Sequence, residues 1–123
     1  MLSHVVVGTN DLDRSKKFYD TLLATLGVGE GMVVEDRVVY FSPAGMFMAT
    51  RPINGAPATV SNGATVAFSA PSPEVVDAWH AAGVSSGGVT CEDPPGYRQM
   101  GDIKLYLAYL RDPDGNKLGI VYR

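Results

Sequence analysis

The chain has 123 residues, 46% hydrophobic and 19% charged, with a formal net charge of −3 and no basic run, which suits one soluble domain with a real core and excludes nucleic acid and anionic membrane as expected partners. No apolar run approaches the roughly 20 residues of a membrane span, and the N-terminus lacks the charged and apolar regions of a secretory signal. The one cysteine, Cys91, excludes an internal disulfide and a CxxC metal clip, so a cytoplasmic location is expected.

Leu2 to Thr9 is a β-branched run that predicts a strand, with Val5 and Val7 on one face and His4 and Val6 on the other. Asn10, Asp11 or Asp13 can cap the helix that follows. Its apolar positions Phe18, Tyr19, Leu22, Leu23 and Leu26 recur at helical spacing, and Gly27 can end it. Three short strands are then predicted over Met32–Glu35, Arg37–Phe41 and Met46–Arg51. Pro52 to Asn62 is rich in Pro, Gly, Ala and Asn, and reads as a linker centred on residues 53–62.

The pattern then starts again. Gly63 to Ala70 predicts a strand, with Thr65, Ala67 and Ser69 opposite Val66 and Phe68. Ser72-Pro73-Glu74 is a helix start: a cap, a proline at the first helical position and an early acid. Val75, Val76, Trp79 and Ala82 form its apolar stripe, and Gly83 is expected to close it. A weaker strand near Val89 leads into a predicted loop at Pro94-Pro95-Gly96. Last comes a hairpin, Ile103–Leu110 and Leu118–Tyr122, around the turn Asp112-Pro113-Asp114-Gly115.

The order is β-α-β-β-β twice, with module 1 over about 1–52 and module 2 over about 63–123. A shift of 61 residues lays Asp11 on Ser72, Phe18 on Trp79 and His4 on Thr65. The fold class is α+β: two βαβββ modules side by side, helices outside and a central trough between.

Three stretches carry a family resemblance. They are His4-Val-Val-Val-Gly-Thr-Asn-Asp-Leu-Asp-Arg-Ser-Lys-Lys-Phe-Tyr19, Asn62-Gly-Ala-Thr-Val-Ala-Phe68 with Ser72-Pro-Glu74, and Arg111-Asp-Pro-Asp-Gly-Asn-Lys117. In this order they resemble the vicinal oxygen chelate superfamily of glyoxalases, bleomycin-resistance proteins and extradiol dioxygenases. The resemblance implies a half-barrel, and in metal-dependent members a divalent ion held from four strands that chelates two adjacent substrate oxygens. Carried over, the first ligand position is His4 and matches. The fifth-strand position falls on Thr65 and the eighth-strand position on Gly119, and neither residue can replace the family's ligands. The fourth-strand position lies within Met46–Arg51, which has no carboxylate or amide. One ligand position of the family's four is kept, so no family metal is expected.

His4 is read either as a general base or ligand contact, since imidazole titrates near neutrality, or as a strand histidine with a satisfied hydrogen bond. Thr65, Ala67, Ser69 and Gly119 are small, which predicts a roomy trough unless a dimer partner fills it. Tyr97 and Arg98, in the loop before the hairpin, are candidates to stack on and neutralise an anionic or aromatic ligand. Arg51 is a surface charge or a second anion contact. Tyr40, Met46, Met48, Tyr106 and Tyr109 are candidate pocket walls, with about half of them expected to face the helices instead. Asp112 and Asp114 are assigned turn roles, Cys91 an idle thiol beside acids, and His80 a solvent-facing position.

Three functions fit. The leading one is a small-molecule-binding protein of the glyoxalase/bleomycin-resistance kind, without the family metal and, as the resemblance implies, pairing as a homodimer. The second is a metal-dependent glyoxalase-like lyase, isomerase or dioxygenase working through His4. The third is a structural or partner-binding domain with a collapsed trough.

Overall fold

The computed structural model describes the whole chain, Met1 to Arg123. Its elements are β1 (His4–Gly8), α1 (Leu12–Ala24), β2 (Met32–Val34), β3 (Arg37–Ser42), β4 (Gly45–Thr50), β5 (Val66–Ser69), α2 (Pro73–Ser85), β6 (Val89–Met100), β7 (Ile103–Arg111) and β8 (Lys117–Tyr122). The strands form two four-stranded sheets of like topology, β1-β4-β3-β2 and β5-β8-β7-β6. In each, the first strand pairs parallel with the last and the rest pair antiparallel. The 61-residue shift carries α1 onto α2 from end to end and Asp11 onto Ser72, and both of these residues are the observed N-caps. Asp11 accepts from the Arg14 amide at 3.0 Å and Ser72 from the Val75 amide at 3.3 Å.

One core serves both modules. Phe18, Tyr19 and Leu22 of α1 and Val76 and Trp79 of α2 are fully buried with Val38, Ala49, Leu110, Leu118 and Ile120 from the two sheets. The helices therefore lie on one side of both sheets, because their apolar stripes and the alternate strand residues can leave water only together. Gly83 is buried inside α2 rather than closing it. A Cβ there would stand 2.3 Å from a Leu110 methyl, so glycine is what lets the helix approach β7.

The larger departure is β6. Pro94-Pro95-Gly96 is not a loop, because the chain stays extended from Val89 to Met100, with a register shift between Cys91 and Gly96. β6 lies at the sheet edge, where one side needs no ladder donors, and the bulge takes the two prolines. Tyr97 and Arg98 are thus strand residues, paired with Tyr106 and Leu105.

Candidate functional site

In β1 the residues alternate as expected: Val5 and Val7 pack toward the helices, while His4, Val6 and Gly8 face the other way. Register extends this inner face across the sheet. His4 stands beside Met46 and then Phe41, Val6 beside Met48 and then Val39, and Gly8 beside Thr50 and then Arg37. The inner face therefore has an imidazole at one end, an apolar middle and an arginine at the other end. A cavity of about 710 Å³ lies on it, lined by His4, Val6, Met48, Thr50, Arg37 and Arg51 from the sheet side.

The stretch after β4, expected to be a bare linker, supplies the opposite wall through Pro52, Ile53, Gly55, Ala56 and Pro57. Asn10 holds it in place. Its side chain accepts from the Ala58 amide at 2.7 Å and donates to the Ala58 carbonyl at 3.2 Å. Gly8 makes room, since a Cβ there would lie 3.0 Å from the Ala58 methyl. Asn10 is free for this because Asp11 takes the cap. With three polar residues competing for one cap, the sequence holds a faint sign that another had a different task.

His4 is exposed, with Nδ1 2.6 Å from the Ser3 hydroxyl. It also borders a second, mostly apolar cavity of about 500 Å³ between the modules, with Val5, Phe47, Ala67, Phe68 and Ser69. His4 and Ser69 thus meet at one cavity. Thr65 precedes β5, is exposed, and borders neither cavity.

Gly119 does not leave open space. The Tyr109 ring lies over it, so that a Cβ at position 119 would sit 2.9 Å from Tyr109 Cε1. Lys117 Nζ stands 4.7 Å from the centre of the same ring and pairs with Glu92, which has a left-handed φ of 58° at the β6 bulge. The room predicted from small residues on β5 and β8 is partly filled by an aromatic ring from β7.

Tyr106 and Tyr97, expected as ligand contacts, lie on the helix side of their sheet rather than the trough side. Tyr106 donates to Asp77 of α2 at 2.7 Å, and the Tyr97 ring meets it edge-on at 4.9 Å. Alternation decides this: Tyr106 shares its face with Ala108 and Leu110, which are fully buried against the helices. Arg98 is engaged too, donating to the carbonyls of Asp93 at 3.0 Å and Pro94 at 2.8 Å. Its guanidinium thereby satisfies carbonyls of the bulge.

Asp112 and Asp114 do form the hairpin turn, closed by a 2.9 Å bond from the Gly115 amide to the Asp112 carbonyl. They also join the modules, a role that turn chemistry alone does not reveal. Asp114 accepts from Thr9 Oγ1 at 2.7 Å, the Asn10 amide at 2.9 Å and Arg14 at 2.8 Å, all at the start of α1. Asp112 accepts from the buried Tyr19 hydroxyl at 2.5 Å. Burial, reinforced by the Asp112 charge, pushes the Tyr19 phenol well above the ordinary tyrosine range.

Tests of the family's metal chemistry turn on the donor set. No group of three or more His, Cys, Asp or Glu side chains converges in the chain. Of the positions carried over, His4 is an imidazole, Thr65 lies outside its strand, and Gly119 is covered by Tyr109. These residues do not fit a divalent ion of the family's kind, which needs several charged or imidazole donors.

Residues 1–120 match the Glyoxalase/Bleomycin resistance protein/Dioxygenase superfamily, and the chain belongs to that family. A glyoxalase/bleomycin resistance protein from Albidiferax ferrireducens is 61% identical, with 100% of this chain and 99% of that one covered and a TM-score of 0.98. Two more distant structures show the fold alone. A lactoylglutathione lyase from Agrobacterium tumefaciens is 20% identical over 99% of this chain and 92% of its own, at a TM-score of 0.69. A glyoxalase-related enzyme from Fulvimarina pelagi is 16% identical over 100% and 88%, at 0.76. No curated protein matches the chain. No helix is long and apolar enough to cross a membrane.

Proposed function

We propose that this protein binds a small organic molecule on the inner face of its first sheet, without a metal ion. The observation that carries the reading is the cavity of about 710 Å³ beside His4. Its size falls in the range of small-molecule sites, and it joins an apolar floor of Val6 and Met48 to a rim of polar and charged side chains. The donor set supports metal independence, since His4 stands without further ligands of the family's kind. Pairing of two copies is also proposed. Met32 and Phe41, 52% and 55% exposed, extend the apolar inner face to its open side, where a second chain can cover them.

The test is a ligand screen by thermal shift, paired with titration of zinc, nickel, manganese and iron(II) into the chelator-treated protein and a His4→Ala variant. Ligands that raise Tm with chelator present support the proposal. Tight one-to-one metal binding lost in His4→Ala would overturn the metal-free reading and put the metal-dependent lyase or dioxygenase reading first. Sedimentation of the free chain checks the pairing.

A further inference from the structure

Three arginines of this chain have protein acceptors. Arg14 pairs with Asp114, Arg98 donates to the β6 bulge carbonyls, and Arg111 donates to the Gly115 carbonyl at 2.8 Å. Arg37, Arg51 and the C-terminal Arg123 differ, because none of their guanidiniums has an ion pair or a hydrogen bond to the protein, and of these three Arg37 and Arg51 line a cavity. Both line the same end of the large cavity. The fold fixes their common position: Arg37 is paired with Thr50 in the β3–β4 ladder, and the Arg51 amide donates to the Asp36 carbonyl at 2.9 Å.

Guanidinium is permanently charged and presents a planar fork of donors that matches a carboxylate. Two such forks with no protein partner, opening on one cavity, make a recognition site for an anion. Glu35 and Asp36 line that end too, in the tight β2–β3 turn, and form no ion pair with either arginine. They bring the local formal charge to balance. A group with a single negative charge therefore gains the guanidinium contacts with limited repulsion, whereas a phosphate dianion meets both acids with twice the charge.

The rest of the cavity describes the rest of the ligand. Val6 and Met48 form the floor and Ile53, fully exposed, stands on the opposite wall. These surfaces gain by leaving water under an apolar body. His4 and Gly8 are four residues apart on β1, so His4 lies about 13 Å along the sheet from the row that holds Arg37.

From the unpaired Arg37 and Arg51 at one end of a cavity floored by Val6 and Met48, we infer that the ligand is an elongated small-molecule monocarboxylate. Its carboxylate lies between the two guanidiniums and its apolar body runs over Val6 and Met48 toward His4. This inference rests on the cavity being the binding site, and its test separates the two claims.

The probes are 4-phenylbutanoate, its uncharged amide, and 4-phenylbutyl phosphate, titrated at millimolar concentration into isotope-labelled protein. Backbone resonances of Val6 and Met48 report occupancy of the cavity. The carboxylate binds about tenfold more tightly than the amide, which is what one charge-assisted contact supplies, and more tightly than the phosphate. The double variant Arg37→Gln/Arg51→Gln, on the exposed surface and leaving the unliganded Tm unchanged, brings carboxylate and amide to equal affinity. Glu35→Gln/Asp36→Asn strengthens carboxylate binding and narrows its lead over the phosphate. Equal binding of carboxylate and amide to the parent protein overturns the arginine assignment and leaves the cavity reading standing. So does a double variant that still prefers the carboxylate. If none of the three probes shifts Val6 or Met48, both readings fall.

Discussion

Tyr19 Oη and Asp112 Oδ2 lie 2.5 Å apart across 93 residues of chain, joining the first helix to the last hairpin inside the shared core. Neither group is placed for chemistry on the inner face. The pair instead joins the two halves, since Tyr19 packs with Phe47 of β4 while Asp112 also organises its own turn through the amides of Asp114 and Asn116.

Tyr19→Phe therefore removes a buried, charge-assisted bond and is expected to cost about 2 kcal/mol, read by urea unfolding. The pH dependence has a fixed sign. The folded phenol titrates above its unfolded value, so its contribution is complete below about pH 10 and is lost as pH rises beyond that point. The parent protein should lose stability there more steeply than Tyr19→Phe. Parallel alkaline curves would show that the contact contributes little.

On the acid side the responsible group is Asp20. Burial alone would raise its pKa, but Lys16, the Gly31 amide and the Tyr40 hydroxyl together hold it below the ordinary value of 3.8. A lowered folded pKa gives stability that is present above the unfolded value and lost as pH falls through the folded one. Thermal melts between about pH 5 and pH 2 should show a drop that Asp20→Asn flattens, with that variant already less stable at neutral pH.

Gly119 is fixed by its neighbour. Gly119→Ala should cost about 1–3 kcal/mol through its clash with the Tyr109 ring, and Tyr109→Ala in the same chain should recover part of that loss. Additive losses in the double variant, measured by denaturant unfolding, would show that the ring moves aside freely. The same geometry bears on any attempt to install the family's eighth-strand Glu here, because that side chain and the Tyr109 ring compete for one space.

Asn10 anchors the cavity wall directly. Asn10→Ala removes both bonds to Ala58 and is expected to cost about 1–2 kcal/mol. Its clearer effect should be local, with faster amide exchange across residues 53–58 and weaker ligand binding, while the α1 core keeps its protection. Unchanged exchange in that stretch would show that Gly8 and Ala58 packing suffices.

The architecture was legible because its signals are short-range and repeated. Asp11 and Ser72 start helices by the same cap logic, and Phe18 and Trp79 sit at matching positions of like stripes. Family membership followed from the same stretches. The site was less legible, because it depends on which of two faces a residue takes and on what the far chain does. Tyr106 was as good a pocket wall as Met48 until register placed it beside Ala108 and Leu110. Pro94 and Pro95 spoke for a loop, and only the position of β6 at an edge makes them acceptable in a strand. Arg37 looked like any polar strand residue. Its significance comes from lacking a partner, which no sequence pattern displays.

Those two prolines have a further consequence. A sheet edge is a row of free amide and carbonyl groups on which a strand from another molecule can grow, the first step toward fibrils. In β6 that row is interrupted where Pro94 and Pro95 offer no N–H and the bulge turns the backbone out of register, and the other outer strands, β1, β2 and β5, are five, three and four residues long. The longest outer strand is spoiled as a template, and the three intact ones are short. Strands broken or short at every outer edge give another chain little length on which to extend a ladder.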